Sequence, residues 1–579
     1  MKKNMKKDIY NSLSQQVECA LKALKTEGFL PDDLDTKNVV VEQPKDLSHG
    51  DFATNAAMVL AKAARKNPRE IAMKLAELLE GKAGIASIDV AGPGFINFKM
   101  ENKCFHEQIE TILAQGVDYG KSNIGADEKV MVEFVSVNPT GPLHAGHGRG
   151  AVYGDALCRL LTKAGYDVYR EYLMNDAGGQ MRVIVKSVHL RYLELFGQKI
   201  EMPEGCYPGD YVKDIAQTLK ERDGDKWLST TDDEELFKAL RAFCVEECMN
   251  MINDAIVHDM DIKFDNYFSE YDMHARGEMD NAIKKLTEKG YIYKGVLAPP
   301  KGKVIEDYEA EEMTLFKAEQ FGDDCDRPVY KKNGEPTYFG ADVAYHNNKL
   351  ERGFTKLINV WGADHAGAVK RLKAALTALT GNKDALHIQL MQMVKLVKNG
   401  KEVKLSKRAG NIIEVSDVVK EVGADAFRFL YLFRKHDSQF TFDLAKAVEK
   451  NNENPVFYVQ YAHARICSIF RQQKELGIDE STSDVNLALL DQPAELKLIK
   501  QLCLFPLVIE KAAKMLEPHR VAFYAHELAS HFHSLYGAEK FLLPEDVALT
   551  HARLKLVKAA QVTLKASLEV LGVNPVTEM

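Results

Sequence analysis

The stretch KVMVEFVSVNPTGPLHAGHGRGAVYG, Lys129 to Gly154, decides the reading of this chain. Its apolar opening, Val130, Met131, Val132, Phe134 and Val135, is bounded as a buried strand would be. The patch Asn138-Pro139-Thr140-Gly141-Pro142 then stops either regular element. After His144-Ala145-Gly146-His147 the chain resumes as an apolar helix through Ala151, Val152, Ala156, Leu157, Leu160 and Leu161. Strand, glycine-rich turn and helix start, in that order, set exposed amides and the positive end of a helix at the mouth of a sheet. Such a place binds phosphate.

Three readings of the turn stay open at this point. Gly146-x-Gly148-x-x-Ala151 satisfies a loose dinucleotide fingerprint, with Asp167 or Glu171 about 20 residues on for a ribose. Alternatively His144 and His147, three apart at a helix start, donate to phosphate oxygens during attack at phosphorus. The bland reading is a pair of histidines that cap a turn. A second stretch bears on the choice: Lys404-Leu405-Ser406-Lys407-Arg408-Ala409-Gly410-Asn411. Two lysines three apart, among small residues, suit a loop that neutralises a polyphosphate, or else form an ordinary solvated basic turn.

HAGH followed by KLSKR resembles the two signatures of class I aminoacyl-tRNA synthetases, HIGH and KMSKR. The wider segment VEFVSVNPTGPLHAGHGRGAVYGDAL, Val132 to Leu157, is similar to that of arginyl-tRNA synthetases of bacterial type. The departures are Ala145 for Ile, Leu405 for Met, and Val135 and Val137 where small residues are frequent in the family.

Composition agrees with an ordinary globular enzyme. The 579 residues suffice for three or four cores, with 46% apolar and 28% charged residues. No run approaches the ~18 apolar residues of a membrane span. The basic start, MKKNMKKDIYNSL, lacks the apolar segment of a secretory signal, so a cytoplasmic protein without a membrane partner is expected. The nine cysteines are scattered; only Cys244 and Cys248 lie close, and no structural zinc or other protein-bound metal is expected. A net charge of −8 argues against a protein that coats nucleic acid indiscriminately, while a local basic face can still dock one RNA.

The fold class expected is α/β: a Rossmann-type doubly wound parallel sheet flanked by an N-terminal α+β domain and a C-terminal all-α bundle. Residues 1–120 carry a helix with Ile9, Leu13, Val17, Ala20, Leu21 and Leu24 on one face. A strand at Asn38–Val41, helices from Ala53 and around Glu70–Leu79, and paired strands around Gly92-Pro93-Gly94 follow. Gly116 to Ser122 misses the P-loop spacing and is set aside. Residues 121–415 alternate strands and helices, with a helical, charged insertion at about 185–290. Strands are read at Tyr166–Tyr172, Lys303–Ile305, Leu357–Trp361 and Gln389–Val397. Residues 416–579 read as almost wholly helical, with Val521, Tyr524, Ala525, Leu528, Phe532 and Leu535 in one stripe.

The resemblance covers nearly the whole chain. GDFATN, RKNPREIA and AGPGFINF resemble the family's additional N-terminal domain, which contacts the outer corner of tRNA. YPGDYV, FDNYFSE and NDAGGQ also match the family's pattern. NENPVFYVQYAHARICSIF and ELASHFHSLY resemble its anticodon-binding domain, where Tyr458, Tyr461 and Arg465 could stack unpaired bases. It implies an arginine–tRNA ligase that forms arginyl-adenylate from L-arginine and ATP with Mg2+, then charges tRNA(Arg), and works as a monomer.

It also implies site roles. His144, Gly146 and His147 would hold the α-phosphate region. Lys404, Ser406 and Lys407 would meet the departing pyrophosphate, and Asp364 and His365 would close over the nucleotide. The substrate guanidinium is planar and always charged, so it needs carboxylate acceptors. Glu133 and Asp342 match those positions, Tyr338 the aromatic beside them, and Asn138 the holder of the α-amino group. An oxidoreductase would leave KLSKR and the helical third without a role, and a non-catalytic relative would have lost the residues that are present.

Overall fold

The structure, a computed structural model, describes residues 8–44, 46–296, 312–331, 334–398, 400–403, 413–479 and 485–579. The first helix, Ile9–Thr26, starts where the Asp8 carboxylate accepts from the Asn11 amide at 2.7 Å. It buries the six residues of the expected stripe. An antiparallel sheet lies beside it: β1 Val41–Glu42, β2 Phe52–Thr54, β3 Ile85–Ala91 and β4 Phe95–Met100, ordered β1-β2-β4-β3.

Two local expectations fail here. Asn38–Val40 is not strand, because the Val39 amide closes a turn on Thr36 and the Val40 amide goes to the Asn55 side chain. The helix read from Ala53 starts at Ala56, since Phe52–Thr54 pairs with β4. Three residues are too few to display an alternating pattern.

The core is a parallel sheet of β5 Lys129–Glu133, β6 Asp167–Met174, β7 Asn266–Ser269, β11 Lys356–Gly362 and β12 Leu386–Met391. Its order is β12-β11-β5-β6-β7, with β5 pairing in parallel with both β6 and β11. Val130, Met131 and Val132 are fully buried, as covered faces of a parallel sheet require. The chain runs outward from β5 in one direction, then returns to β11 and runs the other way. The switch between β5 and β11 opens a crevice at their carboxyl ends, where ligands of such sheets bind.

Between β7 and β11 stands a small antiparallel sheet, β8 Ile292–Val296, β9 Glu312–Phe316 and β10 Arg327–Pro328. The strand read at Lys303–Ile305 lies outside the described residues. Within the stretch read as a helical insertion, Asn266–Ser269 is the outer strand of the main sheet. The single strand read over Gln389–Val397 is two strands. The Gln392 amide leaves the sheet for the His436 carbonyl, and β13 Val394–Lys398 joins β14 Lys401–Val403 and β15 Phe440–Asp443 instead. β15 lies where only helix was expected; four residues flanked by helices gave it no visible period.

The last third is a bundle whose long members are Pro455–Glu475, His519–Ala538 and Val547–Leu571. All six residues of its expected stripe are buried. The N-terminal domain is tied to it by Lys500 to Asp51 at 2.6 Å and Lys511 to Glu42 at 3.0 Å. Among the described residues no helix is long and apolar enough to cross a membrane.

Candidate functional site

β5 ends at Glu133, and the next turn is bent hard. Val135 and Ser136 sit at φ +68° and +43°, a region that costs a non-glycine residue about 1–3 kcal/mol. Side chains and backbone of β6 hold them there. The Tyr172 hydroxyl donates to the Val137 carbonyl at 2.7 Å and accepts the Val137 amide at 3.1 Å, and Ser136 Oγ accepts the Leu173 amide. Further on, the Tyr211 hydroxyl donates to the Thr140 carbonyl at 2.9 Å.

The histidine turn follows. Ala145–His147 is a short 3-10 segment leading into the helix Gly148–Lys163. The rings of His144 and His147 stack with centroids 3.5 Å apart and planes 24° from parallel. They stand at the helix start, beside the carboxyl ends of the strands. The helix lies close to its surroundings because it carries glycines: a Cβ on Gly148 would overlap the Phe427 ring, and one on Gly154 the Phe134 ring. Arg149, buried beneath the turn, donates to the carbonyls of Gln392, Lys435 and Ser438 at 2.9, 2.7 and 2.8 Å.

Lys404, Ser406 and Lys407 lie outside the described residues. The segments on either side are placed, however. Val403 ends β14, while Ile413 and Val415 pair with the histidine turn: Ala145 donates to the Ile413 carbonyl at 3.0 Å and Val415 to that of Leu143 at 2.9 Å. The two signatures are thus joined through the backbone that follows the second.

Across the crevice the helix Tyr338–Glu351 is capped by Thr337, whose Oγ accepts the Gly340 amide. Asp342 faces Glu133. Burial first, and the Glu133 charge second, push the Asp342 carboxyl up to about 7. Glu133 is 3% exposed and receives Lys349 Nζ at 2.5 Å. Tyr338, one turn before Asp342, is 75% exposed. Asn138 donates at 2.8 Å to Oε1 of Gln180, which stands at the start of the helix after β6. Asp364 and His365, beyond the end of β11, form an exposed pair at 3.6 Å, with the His365 ring 5.9 Å from that of Trp361.

The structure thus places Glu133, Asn138, His144, Gly146 and His147 at the end of β5 and in the turn that follows it, Asp342 beside Glu133, and Asp364 and His365 just after β11. Tyr458, Tyr461 and Arg465 form a separate cluster on the bundle. The Arg465 guanidinium lies 4.2 Å over the Tyr461 ring and 4.7 Å over that of Tyr536, and it donates to His533 Nδ1 at 3.2 Å. Tyr458 packs against His533 with ring centroids 4.6 Å apart.

The dinucleotide reading loses its ribose acid. Glu171 is buried and already receives Arg352, the Tyr345 hydroxyl and Asn266. Asp167 starts β6, at the end of the sheet opposite the crevice. Sequence reasoning missed Lys349 and Gln180. Lys349 lies seven residues after Asp342, two helical turns on the same face, and that spacing was the available signal. A lysine is so seldom buried that the signal was easy to pass over.

Comparisons with known proteins cover the chain in three parts. Family models match residues 11–100 (Arginyl tRNA synthetase N terminal domain), 108–450 (tRNA synthetases class I (R), catalytic domain) and 459–579 (DALR anticodon binding domain). The chain is 47% identical to an arginine–tRNA ligase of Magnetococcus marinus, over 97% of this chain and 99% of that one. It is 48% identical to one of Roseobacter denitrificans, over 96% and 97% respectively. Its fold matches the solved arginyl-tRNA synthetase of Thermus thermophilus with a TM-score of 0.76 and 21% identity, over 99% of this chain and 100% of that one.

Proposed function

The chain belongs to the arginyl-tRNA synthetases, and from that premise we propose how its residues divide the reaction. The protein is an arginine–tRNA ligase. It activates L-arginine with ATP to arginyl-adenylate and pyrophosphate, and transfers the arginine to the 3′-terminal adenosine of tRNA(Arg).

In the first step an arginine carboxylate oxygen attacks the α-phosphorus of ATP, and the bond to the bridging oxygen of pyrophosphate breaks. Catalysis of such a step is alignment and charge stabilisation. His144 and His147 donate to the α-phosphate oxygens, and Gly146 leaves room for the nucleotide. Lys404, Ser406 and Lys407 meet the charge growing on pyrophosphate. Asp364 and His365 close over the adenosine side. Mg2+ enters with the polyphosphate as part of that substrate; among the described residues no group of three His, Cys, Asp or Glu side chains could cage an ion alone.

Glu133 and Asp342 receive the guanidinium, Tyr338 covers it, and Asn138, steadied by Gln180, holds the α-amino group. Tyr458, Tyr461 and Arg465 contact the tRNA. The N-terminal domain of about 120 residues touches the tRNA elsewhere, and the bundle from about 416 takes the anticodon. The enzyme works as a monomer in the cytoplasm.

The observation that carries this assignment is the crevice itself. A stacked histidine pair follows the strand that ends at Glu133, and beside Glu133 stands a half-buried second acid, Asp342, with no lysine or arginine within ion-pair distance among the described residues. Arginine-dependent exchange of pyrophosphate into ATP, with and without total tRNA and beside other amino acids, tests it. Exchange with arginine alone among the amino acids supports the assignment. Exchange with another amino acid of equal rate would overturn the guanidinium site.

A further inference from the structure

Each buried carboxylate on or beside the main sheet has its own base, and the half-buried Asp342 stands apart from them. Asp155 receives Arg428, Arg159 and Arg170. Glu171 receives Arg352 at 2.6 Å. Glu133 receives Lys349 at 2.5 Å. Asp342 receives none among the described residues; Arg371, and more weakly Lys349, act on it from beyond ion-pair distance, against the opposing fields of Glu133 and Glu270.

Lys349 is no surface lysine. Its side chain is 0% exposed, and its ammonium touches Glu133 Oε2, Asn359 Oδ1 at 3.3 Å, and the face of the Tyr345 ring at 4.2 Å. Asn359 is in turn held by His346, whose other nitrogen bonds the Asp342 carbonyl at 2.7 Å. β5 and β11 pair at Glu133 and Asn359, so the acid and the amide stand side by side under the ammonium. A buried ion pair of this kind is electrically closed and geometrically fixed.

We propose that Lys349 is a positioning residue for arginine selection: it closes the charge of Glu133, so that Asp342 alone balances the guanidinium while Glu133 serves as an oriented acceptor. The proposal rests on the reading above that Glu133 and Asp342 meet the guanidinium, and it divides their labour. Without Lys349 the pocket would hold two unmatched acids for one guanidinium. With Lys349 but without the Glu133 charge, it would hold a buried cation beside the substrate cation.

The second case gives the test. Aminoacylation by the full-length protein is measured with wild type, Glu133→Gln, Lys349→Met, the double variant Glu133→Gln/Lys349→Met, and Asp342→Asn. Arginine KM and kcat are read separately, and thermal unfolding monitors the fold. Glu133→Gln should raise the arginine KM by roughly thirtyfold or more, as loss of one partner of a buried pair does. Removing Lys349 from that variant should lower KM again by about tenfold, with kcat little changed. A lysine that only supported the fold would make the double variant worse. A double variant with a KM no lower than that of Glu133→Gln therefore overturns the proposal.

Glu133→Gln/Lys349→Gln, which keeps a polar chain in place of the ammonium, supplies a second arm and serves if the methionine variant does not fold. The preference for arginine over citrulline, its neutral urea isostere, should fall in Glu133→Gln and return in this double variant. No return overturns the division of labour. An Asp342→Asn enzyme with wild-type arginine KM would instead overturn the guanidinium site, and the proposal with it.

Discussion

The guanidinium of Arg428 is buried against the carboxylate of Asp155, and the same cation donates to the Leu571 carbonyl at 3.1 Å and the Met260 carbonyl at 2.9 Å. Asp155 lies in the helix that the histidine turn begins, and Leu571 ends the last helix of the bundle. Burial works to raise the Asp155 carboxyl, but Arg428, Arg159 and Arg170 outweigh it and hold it below the usual range. One charge cluster thus locks the end of the bundle to the helix that begins at the histidine turn.

Replacing Asp155 with Asn leaves Arg428 buried without its anion. The expected loss is about 3–5 kcal/mol of stability, as for other broken buried pairs. Chemical denaturation of the two proteins measures it; a change below about 1 kcal/mol, within the range of ordinary surface pairs, would refute the role given to the cluster.

Gly572 probes the same contact from the other side. It stands at φ +66° in the cap of the last helix, and a Cβ there would overlap the Arg428 guanidinium. Alanine must bear the left-handed backbone, about 1–2 kcal/mol. It must also displace a side chain whose partners are all fixed, about 1–3 kcal/mol more. Gly572→Ala should therefore lower stability without changing the arginine KM at a temperature where the variant is folded.

These contacts mark where the sequence was legible and where it was not. The quoted stretch carried its own answer, because strand, turn and helix start are local patterns and both histidines fall inside them. The buried stripes of Ile9–Thr26 and His519–Ala538 were equally plain, since a 3.6-residue period needs no partner to be seen. The four-residue strands Asn266–Ser269 and Phe440–Asp443 were not, because their pairing partners lie 95 residues away at Glu171↔Asn266 and 46 at Val394↔Phe440. Lys349 and Arg428 were passed over for a related reason. A lysine or arginine in a helix reads as a solvated face until the fold supplies Glu133 or Asp155.

With Asp342 as an acceptor of the guanidinium, as proposed, arginine binding should depend on pH. Its carboxyl, raised to about 7, is largely protonated in the empty site below that pH, whereas the guanidinium requires the anion. Arginine KM should fall as pH rises towards 7 and level off above it. For stability the sign is opposite: native Asp342 holds its proton where an unfolded aspartate has lost it, so stability of the empty enzyme falls from about pH 4 to 7. The thermal shift caused by saturating arginine should grow over the same range, and Asp342→Asn should flatten both profiles.

On the bundle, His533 fixes which way Arg465 points. Its Nε2 meets the Tyr458 carbonyl at 3.1 Å and so carries the proton, which leaves Nδ1 to accept from Arg465. Burial, the largest influence on this ring, favours that neutral form. The guanidinium is then held over the rings of Tyr461 and Tyr536, a cationic and aromatic cluster of the kind on which a base stacks. Arg465→Ala should raise the KM for tRNA by about 5- to 100-fold, the equivalent of one stacked base. The KM for arginine should not move; a rise in both would place the effect in the fold.

The stacked histidines allow the sharpest separation of chemistry from binding. Their rings lie 3.5 Å apart at the start of Gly148–Lys163, and in the proposed reaction developing charge on phosphate oxygens would meet both the rings and the helix end. Neither ring touches the Glu133–Lys349 pair, whose partners are Asn359 and Tyr345. Replacing either histidine with alanine should therefore lower the single-turnover rate of adenylate formation by about 100- to 1000-fold, as loss of one preorganised donor does. Arginine KM should stay within about twofold, because ground-state binding of the guanidinium is left intact. If the substitutions instead raised KM and spared the rate, the histidines would be holding the substrate, and the stabilising role would pass to the lysine-rich segment at 404–407.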